Sequence, residues 1–237
     1  MAPTFAEMIQ LGDELLARGW RAFDEVPDAV KTKQRRLTDR DKILGAFSMK
    51  MLSAFEALVD DVRGGRGESM HHLKTLCESY IYLVDAASSE GQANLVLARA
   101  YDGQLKYLEA KPNDSAENRE KARLIKLKIA GLTSGQQLRR EFIEDVAKRH
   151  PNLPSWYDVV YRLACQPAHI ADLEDFLPTD EGVFPEAPGA PRSVAAIRYG
   201  LEIVLWLASF VNQANEIGIV IEVDDLARRF RGQETPD

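Results

Sequence analysis

The chain has 237 residues, of which 45% are hydrophobic and 28% are charged, and its formal net charge is −7. A chain of this length and hydrophobic content can bury a full core, and its charged fraction is ordinary for a soluble domain, which excludes a wholly disordered protein. The negative charge disfavours a broad, sequence-independent attraction to nucleic acid or to anionic membranes.

The start of the chain and its cysteines suggest a compartment. Met1 is followed by Pro3 and then by acidic residues, which does not match the basic start and apolar run of a secretory signal. The longest apolar stretch, residues 203–211, is shorter than the roughly 20 residues that span a bilayer. Cys77 and Cys165 lie in apolar helical patterns, so we expect buried free thiols in a reducing cytosol. We therefore expect a cytoplasmic protein that does not contact membranes.

Helical periodicity dominates the sequence, and alternating strand patterns are nearly absent. Thr38 followed by Asp41 has the pattern of a capping box, which opens a strong helix, and Gly64 ends that helix. The predicted helices cover, in chain order, residues 5–22, 38–63, 68–87, 91–110, 115–129, 136–149, a segment capped by Ser155, 194–216 and 224–230.

These segments predict an all-α fold, a single bundle of about eight helices with short connections. Residues 177–191 hold four of the eleven prolines and are predicted to form the one long loop. Residues 24–37 contain Pro27 and many charges and are predicted to be a connector. We therefore divide the chain into an N-terminal helix and connector, residues 1–37, and a helical bundle domain, residues 38–237. We expect a homodimer that forms through the hydrophobic helix around residues 203–211.

Positive charge is concentrated in residues 119–150, which hold nine Lys or Arg against four Asp or Glu. A basic helical surface can attract a polyanion, but a solvated or salt-bridged helix has the same composition. We favour the second interpretation, because no aromatic residue that could stack on a base is interleaved before Phe142. The candidate RNA-binding residues are Arg119, Arg123, Lys126, Arg139 and Arg140.

Arg162 and His169 are the strongest candidates for chemistry. Seven residues are two turns of helix, so a permanent cation and an imidazole that titrates near neutrality can share one face. Phosphodiester cleavage needs proton transfer and positive charge at the transition state, and these two residues supply both without a metal. Pro167 interrupts the helix between them, so we expect His169 at a helix break.

Glu78 is the third candidate, because it lies at the flank of the apolar arc of its helix. If tertiary packing covers that flank, the buried carboxylate needs a partner such as Arg162 or His169. The alternative is a surface pair with Lys74, four residues earlier. No HExxH, CxxC or phosphate-binding glycine loop is present, so we expect no metal and no cofactor.

Residues 74–78, KTLCE, resemble the core helix of a bacterial all-helical family known only as a domain of unknown function. The resemblance covers residues 40–215. That family has a basic-x-Leu-x-Glu segment and, on a later helix, a hydroxyl residue shortly before a histidine. Glu78 and His169 match these positions, whereas Lys74 stands where the family usually has arginine and Cys165 stands near its usual serine.

The Arg162-x6-His169 spacing also resembles the motif of the HEPN superfamily, helical proteins of toxin–antitoxin and phage-defence systems. Many of these are metal-independent endoribonucleases whose motifs face each other across a dimer. The resemblance implies that Arg162 stabilises the transition state and that His169 transfers the proton. Leu163 stands where that superfamily places a polar residue.

Two functions follow from these residues. We favour a non-enzymatic scaffold or interaction module, in which Glu78, Arg162 and His169 form a buried polar network that fixes helix register. The alternative is a HEPN-like metal-independent endoribonuclease that uses Arg162 and His169, with an RNA or protein partner. Both interpretations require the helix that carries Glu78 and the helix that carries Arg162 to lie side by side.

Overall fold

A computed structural model of the chain describes residues 2–32, 36–66, 68–110, 115–135, 138, 141–165, 190–214 and 220–233. Over these residues the fold is all-α, as predicted, and no β-strand is present. The predicted long loop, residues 177–191, lies outside the described residues except for residues 190–191, which begin a helix. The helices are α1 Phe5–Asp24, α2 Val26–Thr32, α3 Asp39–Arg63, α4 Ser69–Ala87, α5 Glu90–Glu109, α6 Ala116–Thr133, α7 Ile143–Lys148, α8 Leu153–Ser155, a π-helical turn Trp156–Tyr161, α9 Arg162–Cys165, α10 Ala190–Ala214 and α11 Asp224–Phe230.

The core lies where α1, α3, α4 and α10 pack on one another. Phe55 and Leu73 are fully buried in it, and Leu15 brings α1 into the same cluster. Gly200 lets α10 approach α3 closely, because a Cβ atom there would lie 3.2 Å from side-chain atoms of both Phe55 and Leu58. The N-terminal helix is thus packed into the same core as α3 and α4.

Local sequence signals set several helix starts. Thr38 caps α3 in a reciprocal capping box with Asp41, which confirms the predicted start of that helix. Thr4 and Glu7 form the same arrangement at α1. Each box satisfies backbone N–H groups that a helix start leaves without partners.

Several predicted boundaries were wrong. The segment predicted to be capped by Ser155 begins with α8 at Leu153, and Ser155 makes no side-chain cap hydrogen bond. The helix predicted to start at residue 194 starts at Ala190. The predicted connector contains a helix, α2, between residues 26 and 32. The helix predicted to start at residue 136 starts at Ile143, and α6 ends in a turn at Ser134 and Gly135, whose φ angles are 51° and 79°. Glu141 then lies in extended chain, where its carboxylate reaches across to other helices.

The α5–α6 hairpin differs from the rest of the fold. The first half of α5 packs on α3 and α4, whereas α6 packs on α5 and has only minor contact with other described helices. Among its 18 residues, α6 buries Thr133 alone. The two helices are joined to each other by an ion pair between Lys126 and Glu109 at 2.9 Å.

The described residues include one helix, Arg192–Ala214, that is long and apolar enough to cross a membrane by length and composition, with 44% of its most apolar window buried in the protein. Its buried side chains include Ile197, Leu201 and Leu207, which pack in the core. Core packing therefore accounts for the apolar character of one side of α10.

Candidate functional site

The segments that carry Glu78 and Arg162 lie side by side, as both interpretations require. α4 packs against the π-helical turn and α9. The ring of Trp156 meets that of Tyr80 edge-on with centroids 6.3 Å apart, and the Trp156 carbonyl oxygen lies 3.8 Å from Sγ of Cys77. These contacts hold the face of α4 that carries Cys77 and Tyr80 against the π-helical turn.

The π-helical turn is the unusual backbone feature of this region. Such turns are rare and are often found at functional sites. Here Tyr157 and Tyr161 stack with ring centroids 5.2 Å apart. The Nζ atom of Lys74 lies 6.0 Å from the Tyr161 ring, and Cζ of Arg162 lies 5.4 Å from the Tyr157 ring. Two cations therefore flank one aromatic pair, which stabilises both by cation–π attraction.

Glu78 is half-buried beside this pair. Burial raises the pKa of Tyr161, and the neighbouring Cys165 and Glu78 raise it further. The same causes, with burial again the largest, raise the pKa of Cys77 to about 12. Both groups consequently stay protonated at neutral pH, so neither is prepared to act as a base or as a nucleophile.

Arg162 is at the surface and not in a buried network. Its Nε atom lies 3.2 Å from Oδ1 of Asp158, and both side chains are 60% exposed. The two residues are one helical turn apart on an outward face, which explains the pairing. Among the described residues Glu78 and Arg162 form no ion pair with each other, and His169 lies outside the described residues.

Two of the five candidate RNA-binding residues are paired with carboxylates. Arg123 donates to both oxygens of Glu120 at 2.7 and 2.8 Å, and Lys126 pairs with Glu109. Arg119 is exposed, whereas Arg139 and Arg140 lie outside the described residues. The positive charge of α6 is therefore partly neutralised within the hairpin.

A buried polar network that the sequence did not reveal connects α4 to the segment around α7. Asp85, whose side chain is 1% exposed, accepts two hydrogen bonds from Arg149, at 2.8 and 3.1 Å. His150 Nε2 lies 3.0 Å from the same carboxylate. Arg149 also pairs with Glu141 at 2.9 Å, and Arg99 of α5 pairs with Glu141 at 2.8 Å.

This network tethers three helices through charged hydrogen bonds. Arg149, and then Arg99, hold the pKa of Glu141 below its ordinary value of 4.5, while partial burial opposes them. Hydrogen bonds to Glu141 and Asp85 raise the pKa of Arg149. Asp85 lies in the apolar arc of α4, and that position was the available sequence signal.

No group of three or more metal-ligating side chains occurs in the described part of the chain. Among the described residues, the buried carboxylate of Asp61 lies 2.7 Å from Nε of Arg66 and 3.1 Å from Nε2 of His72. It therefore ties the end of α3 to the start of α4.

Comparison with known proteins gives no match among family models, curated proteins or solved structures. Function must therefore be argued from the geometry of the molecule.

Proposed function

We propose that this chain is a non-enzymatic helical interaction module that binds a partner protein along the α5–α6 hairpin. The observation that carries the proposal is the burial of one residue among the 18 of α6. Helices in proteins are stabilised mainly by packing of an apolar face, and isolated helices of this length are marginal in water. An apolar face left open on such a helix favours a partner that covers it.

The open face of the hairpin is apolar and concave. Leu124 and Leu127 of α6 are 46% and 58% exposed, and Tyr107 of α5 is 64% exposed. A shallow groove of about 580 Å³ lies along the hairpin, lined among others by Tyr107, Leu124 and Ile125. Exposed apolar residues grouped in this way are typical of surfaces that bind proteins.

The charge of α6 indicates the chemistry of the partner. The helix carries five Arg or Lys and two Glu, and Lys121 and Lys128 line the groove. An amphipathic helix with acidic residues beside its apolar stripe would match both features. RNA is a poorer match, because Arg123 and Lys126 already have carboxylate partners.

The network around Asp85 supports the scaffold part of this proposal. A buried carboxylate held by Arg149 and His150 fixes the position of α7 on α4. This is the register-fixing role that we had expected of Glu78, Arg162 and His169.

Site-specific photocrosslinking in cells tests the proposal. A photoreactive phenylalanine at Leu124 should give a discrete adduct with one protein, and the same group at Glu56, exposed on α3, should not. The purified partner should then lose binding at least about tenfold to the Leu124→Glu, Leu127→Glu double variant and bind the Lys50→Glu control normally. Equal adducts at both positions, or undiminished binding by the folded double variant, would contradict the proposal.

The endoribonuclease is a second candidate, and the exposure of Arg162 favours it. A guanidinium that is 60% exposed can reach a phosphate, which a buried one cannot. This function predicts RNA cleavage in the presence of a metal chelator, with His169→Ala and Arg162→Ala each reducing the rate by at least about 100-fold. Absence of cleavage by the wild-type protein, or full activity of His169→Ala, would remove this candidate.

A further inference from the structure

We propose that the outward face of α10 is a self-complementary surface that pairs two copies of this chain antiparallel about a two-fold axis near Gly200. This surface is separate from the α5–α6 hairpin, so the inference does not depend on the proposed function. A homodimer was expected from the sequence, and the proposal names the charged residues that would pair in it.

Gly200 defines the inner side of α10, because it packs against Phe55 and Leu58 of α3. At about 100° per residue, positions two before and two after it point about 160° away from the core. These positions are Arg198, which is exposed, and Glu202, which is half-buried. Neither has an ion-pair partner among the described residues, although each carries a full charge.

Arg198 and Glu202 are self-complementary about Gly200, and exposed apolar residues lie farther along the outward face in both directions. Val194 and Trp206 are each six residues from Gly200, and they are 44% and 50% exposed. In an antiparallel pair, a residue before the axis meets the residue equally far after it on the other copy. Arg198 then faces Glu202 of the partner subunit, whereas Val194 and Trp206 lie on opposite flanks of the contact, about 120° apart around the helix. The two-fold axis therefore creates two contacts between Arg198 and Glu202, and all four charges are paired.

The outward face of α10 forms one wall of a groove that Arg198, Glu202 and Trp206 also line. This groove of about 550 Å³ runs along α10, and Met8 of α1 and Phe230 of α11 line it together with Val194 and Leu205. Tryptophan is the residue that most often anchors protein interfaces, since it brings a large apolar area and loses little conformational entropy. Trp206 therefore adds apolar area at the edge of the contact, and the two ion pairs fix the register.

A second copy fits this face better than a lipid surface does. The centre of the face holds Arg198 and Glu202, and burying charged groups in hydrocarbon without partners is costly. Two-fold pairing gives each charge its opposite. Pairing also covers part of the apolar side chains of Val194 and Trp206, which lie about 18 Å apart along the helix axis.

Charge reversal within the full-length protein tests both the surface and its symmetry. Sedimentation equilibrium should show a wild-type dimer. Arg198→Glu places two glutamates opposite each other at both contacts, and Glu202→Arg places two arginines there, so each variant should dissociate at least about tenfold more readily. The double variant with both reversals should regain the dimer. An equimolar mixture of the two single variants should form heterodimers, because every contact is then Glu against Arg.

The matched control is Lys50→Glu, an equal charge change at an exposed position of α3, which should leave the dimer intact. Circular dichroism of each variant should confirm an unchanged helical content. A wild-type monomer at 100 µM or more would overturn the proposal. So would a dimer insensitive to the single reversals, or single variants that do not associate when mixed. Cosedimentation of a monomer with phosphatidylcholine–phosphatidylglycerol vesicles would assign the face to lipid instead and would equally overturn it.

Discussion

α4 and α6 are helices of nearly equal length, with 19 and 18 residues, but they have opposite relations to the protein. α4 buries residues on almost every turn, including Leu73, Leu76 and Ile81, whereas α6 buries Thr133 alone. α4 is held by tertiary packing, and α6 is held by its own capping, its ion pairs and one neighbouring helix.

The helices that stabilise this fold are therefore different from the helices that we propose to bind a partner. The core helices α1, α3, α4 and α10 provide the fold, and the hairpin offers apolar surface that the fold does not use. Regions with few buried contacts open at low free-energy cost and are those from which binding elements are usually drawn. Substitutions should therefore have very different consequences in the two regions.

The largest expected difference is between two leucines. Leu76→Ala in α4 should lower the free energy of unfolding by about 2–5 kcal/mol, because it leaves a cavity in the packed core. Leu124→Ala in α6 should change it by at most about 0.5 kcal/mol, since that side chain is already half in solvent. Urea denaturation of both variants measures the difference. Similar losses for both would mean that the hairpin is part of the core.

The two arginine sites give the next largest difference. Asp85→Asn removes the buried carboxylate from Arg149 and His150 and should cost about 1–3 kcal/mol, because charged hydrogen bonds in a covered site are lost. Arg162→Ala removes a solvent-exposed pair with Asp158 and should cost at most about 1 kcal/mol. Thermal melts of the two variants compare them directly. A greater loss for Arg162→Ala would restore the buried network first expected at that position.

A smaller effect is expected in the way the free energy of unfolding depends on pH. The folded pKa of Glu141 lies below its ordinary value of 4.5, so its ionised form contributes stability above that pH. The contribution is lost as the pH falls through the folded pKa. Glu141→Gln should therefore be less stable than wild type at pH 7, by at most about 1 kcal/mol, and the difference should shrink as the pH falls below 4.5. Urea melts across pH 3–7 measure this, with Glu56→Gln as an exposed control; a constant difference would contradict it.

The sequence was most informative where the cause is local. Helical periodicity predicted the all-α fold, and Thr38 with Asp41 predicted the start of α3. These features depend on residues within one or two turns of each other. The segments that carry Glu78 and Arg162 were expected to meet, and they do.

The missed features depend on contacts between distant residues. Asp85 and Arg149 are 64 residues apart, so their network depends on the packing of α7 against α4. The π-helical turn forms where Trp156 packs on Tyr80, and no short pattern in the sequence indicates it. The exposure of Arg162 follows from the direction in which that turn points α9.

Native-state hydrogen exchange of the full chain compares α4 with α6 most directly. If α6 is a partner surface that the fold itself does not stabilise, its amides should be protected at least about 100-fold less than those of α4, whose exchange should require global unfolding. Equal protection of the two helices in the purified protein would contradict the proposal that the hairpin awaits a partner.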